Sequence, residues 1–357
     1  MKRPLFSICI PNYNYGLYIG ETIKSVLNQT YPHFEIIVSD NASTDTSAEV
    51  VRSFKDERIR LIRNRYNIGF APNLQKVTSF AKNDYLNLLS SDDQMKPTAL
   101  EDYARAIEEM ADRARNGIVL MSDSEGFDDE GRITRFMVKS RDSFRWVSLP
   151  PETKIPDSFA YTTYSGYEVL REGLTRLGAV GMFCSMVYSR SLWEAVEGYN
   201  SVRTIGPDKH FSYKILSKNP MVCYVHKILF RYRDHVSDNR AAMARTIRDP
   251  MDDYLNVLEF GDDSFLGPLG LKREALVRAF LDSVLRESLV QMGLGRPGFS
   301  RRLFHFCLST FPKETFRMPR AYMLLPFLAL GPLGRFTGPP LRGIYRRFMK
   351  KPQPLKI

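Results

Sequence analysis

An apolar run, Tyr85 to Leu89, leads directly into Ser90-Ser91-Asp92-Asp93-Gln94. Adjacent carboxylates at the end of a strand repel each other unless a cation or hydrogen-bond donors compensate. Hard divalent cations favour such oxygen ligands and leave positions open for phosphates. An acidic turn before Pro97 is the plain alternative. A second acid closes an earlier apolar run, where Glu35 to Ser39 ends at Asp40, followed by Asn41-Ala-Ser-Thr-Asp45. A polar turn with capping residues explains Ser43 and Thr44, but it explains Asp40 less well, because an unpaired carboxylate is costly to bury. An acid at that place can accept a hydrogen bond from a nucleotide base. The two acidic strand ends together favour a ligand site over two unrelated turns.

Two later clusters add to this. Asp208, in Ile205-Gly-Pro-Asp-Lys-His-Phe211, precedes an amphipathic pattern. Capping a helix is the ordinary use of an Asp there, and spacing alone favours it. A general base is the chemical alternative. Arg231-Tyr-Arg-Asp-His235, with Ser237 and Asn239, follows another apolar run. Arg231, Arg233 and His235 together suit an anion such as a diphosphate, and a neutral His also binds metals.

The elements that must position these groups alternate. Strand patterns at Phe6–Ile10, Glu35–Ser39, Arg60–Arg63, Tyr85–Leu89 and Gly117–Met121 are separated by helix patterns. These begin at Ile19, at Thr46-Ser-Ala-Glu49, near Asn73 and at Thr98-Ala-Leu-Glu101, two of them with capping-box spacing. Such alternation implies right-handed crossovers and a mostly parallel sheet with helices around it, an α/β fold. Ligands then gather at the carboxyl ends of the strands. Residues 123–164 read as a long loop or hairpin. Helical patterns return at Tyr167–Leu177, Ser191–Val196 and Lys209–Leu216, with strand pieces at Val222–His226 and Ile228–Tyr232. From Ala241 onward the pattern is almost purely helical, as at Lys272–Met292 and Phe299–Thr310.

Charge is unevenly placed. The 357 residues carry a net +11, yet Arg296 to Ile357 alone carries +12. A basic tail suits an anionic surface. Its bases are interleaved with Leu, Phe and Pro, which favours a membrane surface over nucleic acid. The longest apolar stretch, Ala321–Gly334, contains Pro326 and Pro332 and is too short for an ordinary spanning helix. The N-terminus lacks a signal-peptide pattern, and Cys9, Cys184, Cys223 and Cys307 are scattered. Both points suggest a reducing, cytoplasmic setting, with the tail reaching the membrane face.

In this order the clusters resemble glycosyltransferase family 2, with its GT-A fold. Ser7-Ile-Cys-Ile-Pro-Asn-Tyr-Asn14 looks like the family's first strand and nucleotide-binding turn. Ser25 to Tyr31 and Glu35 to Asp45 are similar to its next block, and Asn67-Ile-Gly-Phe-Ala-Pro-Asn73 to its Asn-x-Gly block. Ser90 to Asp93 matches its D-x-D motif, with Ser90 in place of the first Asp. Gly181–Tyr188, Ser191-Leu-Trp193 and Gly198-Tyr-Asn200 look like the acceptor side, Asp208 falls on the base position, and Tyr232-Arg-Asp-His235 matches a late block.

The resemblance covers roughly residues 5–240 and implies a catalytic domain over 1–240, with a nucleotide half to about 122 and an acceptor half from 123; the helical basic region over 241–357 is read from its pattern and charge and matches no part of the family. It implies inverting sugar transfer from a nucleoside-diphosphate sugar to a glycan or lipid-linked hydroxyl, in polysaccharide or glycolipid assembly. Pro11, Asn12, Tyr13, Asn14, Asp40, Asn67, Asn73, Ser91, Asp92 and Arg233 would bind the nucleotide sugar. Asp92, Asp93 and His235 would bind Mg²⁺ or Mn²⁺, and Asp208 would be the base. Competing readings are a sugar nucleotidylyltransferase, whose Gly-rich N-terminal loop Pro11-Asn-Tyr-Asn14 does not provide, and a non-catalytic scaffold, which Ser90 keeps open.

Overall fold

The computed structural model describes residues 3–110, 112–140, 143–200, 202, 206–234 and 247–329. The chain divides into two compact units, Met1–Gly173 with Ala179–Val236, and Leu174–Gly178 with Ser237–Ile357.

The first unit is built on one sheet. Strands β1 (Phe6–Asn12), β2 (Phe34–Asp40), β3 (Ile59–Arg63) and β4 (Tyr85–Leu88) alternate with helices α1 (Ile19–Leu27), α2 (Ser47–Ser53) and α3 (Phe70–Ser79). β5 (Gln94–Met95), α4 (Ala99–Met110) and β6 (Ile118–Phe127) follow. Next come β7 (Ile133–Lys139), β8 (Trp146–Leu149), β9 (Tyr161–Ser165), α5 (Gly166–Leu174), β10 (Val187–Ser189), α6 (Arg190–Ala195), α7 (Pro207–Leu216) and β11 (Met221–Arg233). The spatial order is β3-β2-β1-β4-β10-β6-β11-β5. Pairing is parallel through β3-β2-β1-β4 and again between β6 and β11. β10 enters antiparallel between β4 and β6. The expected parallel sheet therefore holds across the first half and becomes mixed in the second.

β1 is buried on both faces, as a strand covered by helices above and below must be, so Phe6, Ile8, Cys9 and Ile10 are apolar on both sides and the one polar residue among them, Ser7, is buried with its hydroxyl donating to Glu35. α1 buries Ile19, Thr22, Ile23 and Val26, the single stripe that a helix on a sheet requires. α4 adds Leu100, Tyr103 and Ile107 to the same core.

Capping departs from expectation. Thr46 makes no side-chain cap; Asp45 Oδ1 instead accepts from the Ser47 amide at 3.0 Å. Glu101 accepts from the Thr30 hydroxyl at 2.6 Å. The reciprocal box forms at α5, where the Ser165 amide donates to Glu168 and the Glu168 amide donates to the Ser165 hydroxyl. Residues 123–164, expected to be a loop or hairpin, extend β6 to Phe127 and then form β7, β8 and β9. β7 and β8 continue antiparallel from β6, while β9 pairs with β11. The two expected strand pieces before Arg233 are one strand, with register irregularities between Val225 and Phe230.

The second unit is helical. Its helices Arg248–Phe260, Arg273–Gly293 and Pro297–Thr310 enclose Val257, Leu276, Phe280, Leu281, Val284, Leu303 and Cys307. Tyr254, Phe280, Phe306 and Phe311 pack as an aromatic group with centroids 5.6–6.0 Å apart. Helix Pro319–Ala329 buries Ala321 and Leu324 and turns Tyr322, Met323 and Leu325 outward. No described helix is long and apolar enough to cross a membrane. The basic residues beyond Ala329 lie outside the described residues.

Candidate active site

The parallel register sets Asn12 opposite Asp40 at the carboxyl ends of β1 and β2. Both side chains are buried, and Asn12 Nδ2 donates to Asp40 Oδ1 at 3.0 Å and to Ser43 Oγ at 3.1 Å. Arg63, at the end of β3, brings its guanidinium within 3.2 Å of Asp40 Oδ2. That contact neutralises charge without an aligned hydrogen bond, so Asp40 Oδ2 and Asn12 Oδ1 have no hydrogen-bond donor among the described residues. Buried polar atoms in native folds are nearly always satisfied. Two orphaned oxygens on neighbouring strand ends therefore suit a ligand with N–H groups.

The turn after β1 is tied to the turn after β2. The Asn14 amide donates to Ser43 Oγ at 2.9 Å, and Asn14 Oδ1 accepts from the Thr44 amide at 2.9 Å. Asn14 adopts φ 58°, a conformation Asn tolerates better than most residues. Tyr13 is 43% exposed above this framework. Asn67 and Asn73 act differently from one another. Asn73 is buried, exchanging hydrogen bonds with Ser39 and accepting from Asn64, so it braces β2. Exposed Asn67 accepts from Asn41 and from the Gly69 amide and shapes the loop before α3.

β4 delivers the acidic pair. Ser91 Oγ donates to the Pro11 carbonyl at 2.7 Å, locking this turn to β1. Asp92 is half-buried and Asp93 buried. The Asp93 carboxyl is pushed up to about 8, first by burial and then by the negative charge of Asp92, while the Arg233 amide at 3.1 Å opposes the shift. Burial, then Asp92 and Asp93, also raise the Tyr15 hydroxyl. These oxygens fit a hard divalent cation: two carboxylates with too little positive charge around them to hold both ionised. Among the described residues no three His, Cys, Asp or Glu side chains converge as a complete ligand set. His235 lies outside the described residues, as do Ser237 and Asn239.

Arg233 is not an open anion binder in this arrangement. Its side chain is 3% exposed, pairs with Glu21 at 2.6 Å and Asp129 at 3.3 Å, and lies over the Tyr18 and Phe127 rings. Its Nε has no hydrogen-bond partner among the described residues. Arg231 is held by Glu125 and Gln94. Glu21 and Asp129 went unread in the sequence. Glu21 is a single acid in a helix and Asp129 lies within the acidic run Asp128-Asp129-Glu130, and both are far along the chain from Arg233.

Asp208 does not cap α7. Gly206 occupies that place at φ 51°, Pro207 opens the helix, and Asp208 falls in its first turn. There it lines a small cavity with Leu88, Val180, Met186, Tyr188 and Tyr199, among others. Leu88 is the last residue of β4, so the cavity adjoins the strand that leads to Asp92.

Residues 7–165 match the family model for glycosyl transferase family 2. The chain is 38% identical over 101 residues to TuaG of Bacillus subtilis, a glycosyltransferase assigned to teichuronic acid biosynthesis. It is 36% identical over 104 residues to WfaP of Escherichia coli, a UDP-Glc:alpha-D-GlcNAc-diphosphoundecaprenol beta-1,3-glucosyltransferase. These matches take in 28% and 29% of this chain and only 40% and 41% of the relatives. In three dimensions it is similar to the mannosyltransferase PcManGT from Pyrobaculum calidifontis, solved with GDP-Man and Mn²⁺. The TM-score is 0.53 at 17% identity, covering 98% of this chain and 89% of the other, a likeness of fold. Strand-end carboxylates, a parallel half-sheet and this matched segment agree: residues 7–165 belong to glycosyltransferase family 2, and the sheet that carries them is of the GT-A type.

Proposed function

We propose that the chain transfers a sugar, with inversion, from a nucleoside-diphosphate sugar to an acceptor hydroxyl. The observation that carries this reading is the row of functional groups along one sheet edge. Orphaned oxygens of Asn12 and Asp40 close β1 and β2, and Asp92 and Asp93 follow β4. The base would hydrogen-bond to Asp40 and Asn12, with Tyr13 beside it. Asn14, Asn67, Asn73 and Ser91 hold the turns in shape. Asp92 and Asp93, with His235, would hold Mg²⁺ or Mn²⁺, which when bound stabilises negative charge on a leaving diphosphate.

Asp208 would accept the proton of the acceptor hydroxyl. The oxygen then bonds to the anomeric carbon from the face opposite the diphosphate. The bond to the diphosphate breaks, and the electron pair leaves with it. Arg233, fixed by Glu21 and Asp129, would act by presenting its amide to Asp93 and by holding β11 against the site.

The acceptor in this reading is a glycan or lipid-linked saccharide at the cytoplasmic face of a membrane, within polysaccharide or glycolipid assembly. The names of TuaG and WfaP support that setting. So do the outward Tyr322, Met323 and Leu325 beside exposed Lys313 and Arg317. A thermal-shift panel of UDP- and GDP-sugars with and without Mn²⁺ tests the reading, since a true donor raises the melting temperature by mass action. No shift with any nucleotide or nucleotide sugar overturns it.

A further inference from the structure

Arg233 ends β11, and its backbone amide reaches Asp93 Oδ1 at 3.1 Å. A guanidinium on that residue is the nearest internal counter-charge for the acidic pair. It turns away instead. Nη2 pairs with Glu21 at 2.6 Å and Nη1 with Asp129 at 3.3 Å.

Both flanks of the guanidinium are built alike. Tyr18 and Phe127 place their rings 4.6 and 4.5 Å from it. Glu21 follows Tyr18 by about one turn of α1, the spacing that puts two side chains on one helix face. Asp129 follows Phe127 in the turn between β6 and β7. Gln94 Nε2 donates to Glu21 Oε2 at 3.1 Å and steadies that carboxylate. A buried guanidinium is costly unless it is paired. Glu21 and Asp129 are themselves more than half exposed. Two acids from the solvent side thus hold a base whose own amide touches a third.

We propose that Glu21 and Asp129 withhold the Arg233 guanidinium from Asp92 and Asp93, and so make the nucleotide site depend on a divalent cation for its charge balance. An arginine turned toward the pair would neutralise it from within, repel Mn²⁺ and offer its own donors to a diphosphate. With Arg233 held, the charge has to come from a cation that accepts oxygen ligands. Glu21 and Asp129 are therefore positioning residues that act through Arg233. The inference rests on Asp92 and Asp93 being the cation ligands.

Mn²⁺ binding to the full chain, with and without nucleotide, is measured by electron paramagnetic resonance. UDP and GDP binding is measured by calorimetry, in EDTA and in Mn²⁺. Glu21→Gln with Asp129→Asn keeps the size of both side chains and removes their charge. Mn²⁺ affinity should fall about tenfold, as for one unit charge uncovered near the site, while nucleotide affinity in EDTA rises. Adding Arg233→Met should return both toward wild type. Asp128→Asn with Glu130→Gln is the control: it removes two charges from the same turn, but these pair with Arg132. It should leave both affinities near wild type. Melting temperatures report folding, and Glu21→Gln alone, with a smaller change in the same direction, replaces the pair if the pair does not fold. A folded variant with wild-type Mn²⁺ affinity overturns the proposal. So does an equal loss in the control, or a loss that Arg233→Met does not reverse. Those results leave the cation assignment standing. A wild type that binds no Mn²⁺ overturns both, and UDP or GDP binding in EDTA then shows whether the nucleotide reading survives.

Discussion

Asn12 and Asp40 stand opposite each other at the ends of two parallel strands, joined by a 3.0 Å hydrogen bond that leaves one oxygen on each without a donor. Asp40→Asn keeps an acceptor for Asn12 but loses the charge facing Arg63 and can present an amide to the base. Affinity for UDP or GDP should fall about 10- to 100-fold, as expected when a hydrogen bond to a charged group is lost. Calorimetry measures it, and unchanged affinity for both nucleotides removes Asp40 from the site.

Asp93→Asn addresses the acidic pair. It retains an oxygen for the Arg233 amide while relieving repulsion with Asp92. Without metal the variant should melt no lower than wild type. Its nucleotide-sugar affinity should no longer respond to Mn²⁺ or to chelator. A Mn²⁺ response of wild-type size would show that Asp93 is not a ligand.

Asp208→Asn separates chemistry from folding. Because Gly206 holds the cap position of α7, the helix does not depend on the Asp208 carboxylate for its cap. Donor binding and melting temperature should stay near wild type while transfer drops about 10²–10⁴-fold. Transfer above about a tenth of wild type would point to another base.

Asp123 gives a pH dependence away from the nucleotide site. Burial pushes its carboxyl up from 3.8 to about 6, while the Tyr224 hydroxyl and the Lys139 amide at 3.0 Å pull the other way. The folded value exceeds the unfolded one, so the folded protein binds the extra proton. Its contribution to stability is present below pH 3.8 and is lost as pH rises to about 6. Asp123→Asn should flatten the wild-type slope between these values by an amount of order 2–3 kcal/mol. Urea unfolding of both proteins at several pH values measures it, and parallel slopes would contradict the assignment.

The exposed face of helix Pro319–Ala329 predicts vesicle binding. Tyr322→Ser with Met323→Ser removes apolar surface from the outward side without touching buried Ala321 or Leu324. Binding to phosphatidylserine vesicles should weaken roughly tenfold or more. Wild-type binding should also fall with salt, because basic residues near such a surface add about 1 kcal/mol each. Sedimentation of wild type and variant decides it, and a wild type that ignores these vesicles at low salt refutes it.

The carboxyl-end acids were legible because each interrupts an apolar run, a signal that needs no partner to be seen. Asp208 was harder: its spacing favours a cap, and only the left-handed backbone at Gly206, which takes the cap position, places it two residues further in, within the first turn. β6 was read too short for a physical reason. Ser122, Asp123, Ser124 and Glu125 are buried polar residues in a strand, and they break the apolar signal. Tyr224 and Lys139 satisfy Asp123, and Arg231 and Lys96 satisfy Glu125, all of them distant in sequence. The Arg233 cage was illegible for the same cause.

The three-residue strand β10 touches both β4 and β6, which do not pair with each other. The family-matched segment, residues 7–165, ends before it. Released alone, that segment would hold β3-β2-β1-β4 and β6-β7-β8 as separate ribbons with raw edges, prone to pair with other chains. During synthesis the ribosome must therefore extrude the chain past Ser189 before the two ribbons become one sheet, and past Arg233 before β11 can seal the far side. The stretch that matches the family model thus depends on later strands to join its two halves into one sheet.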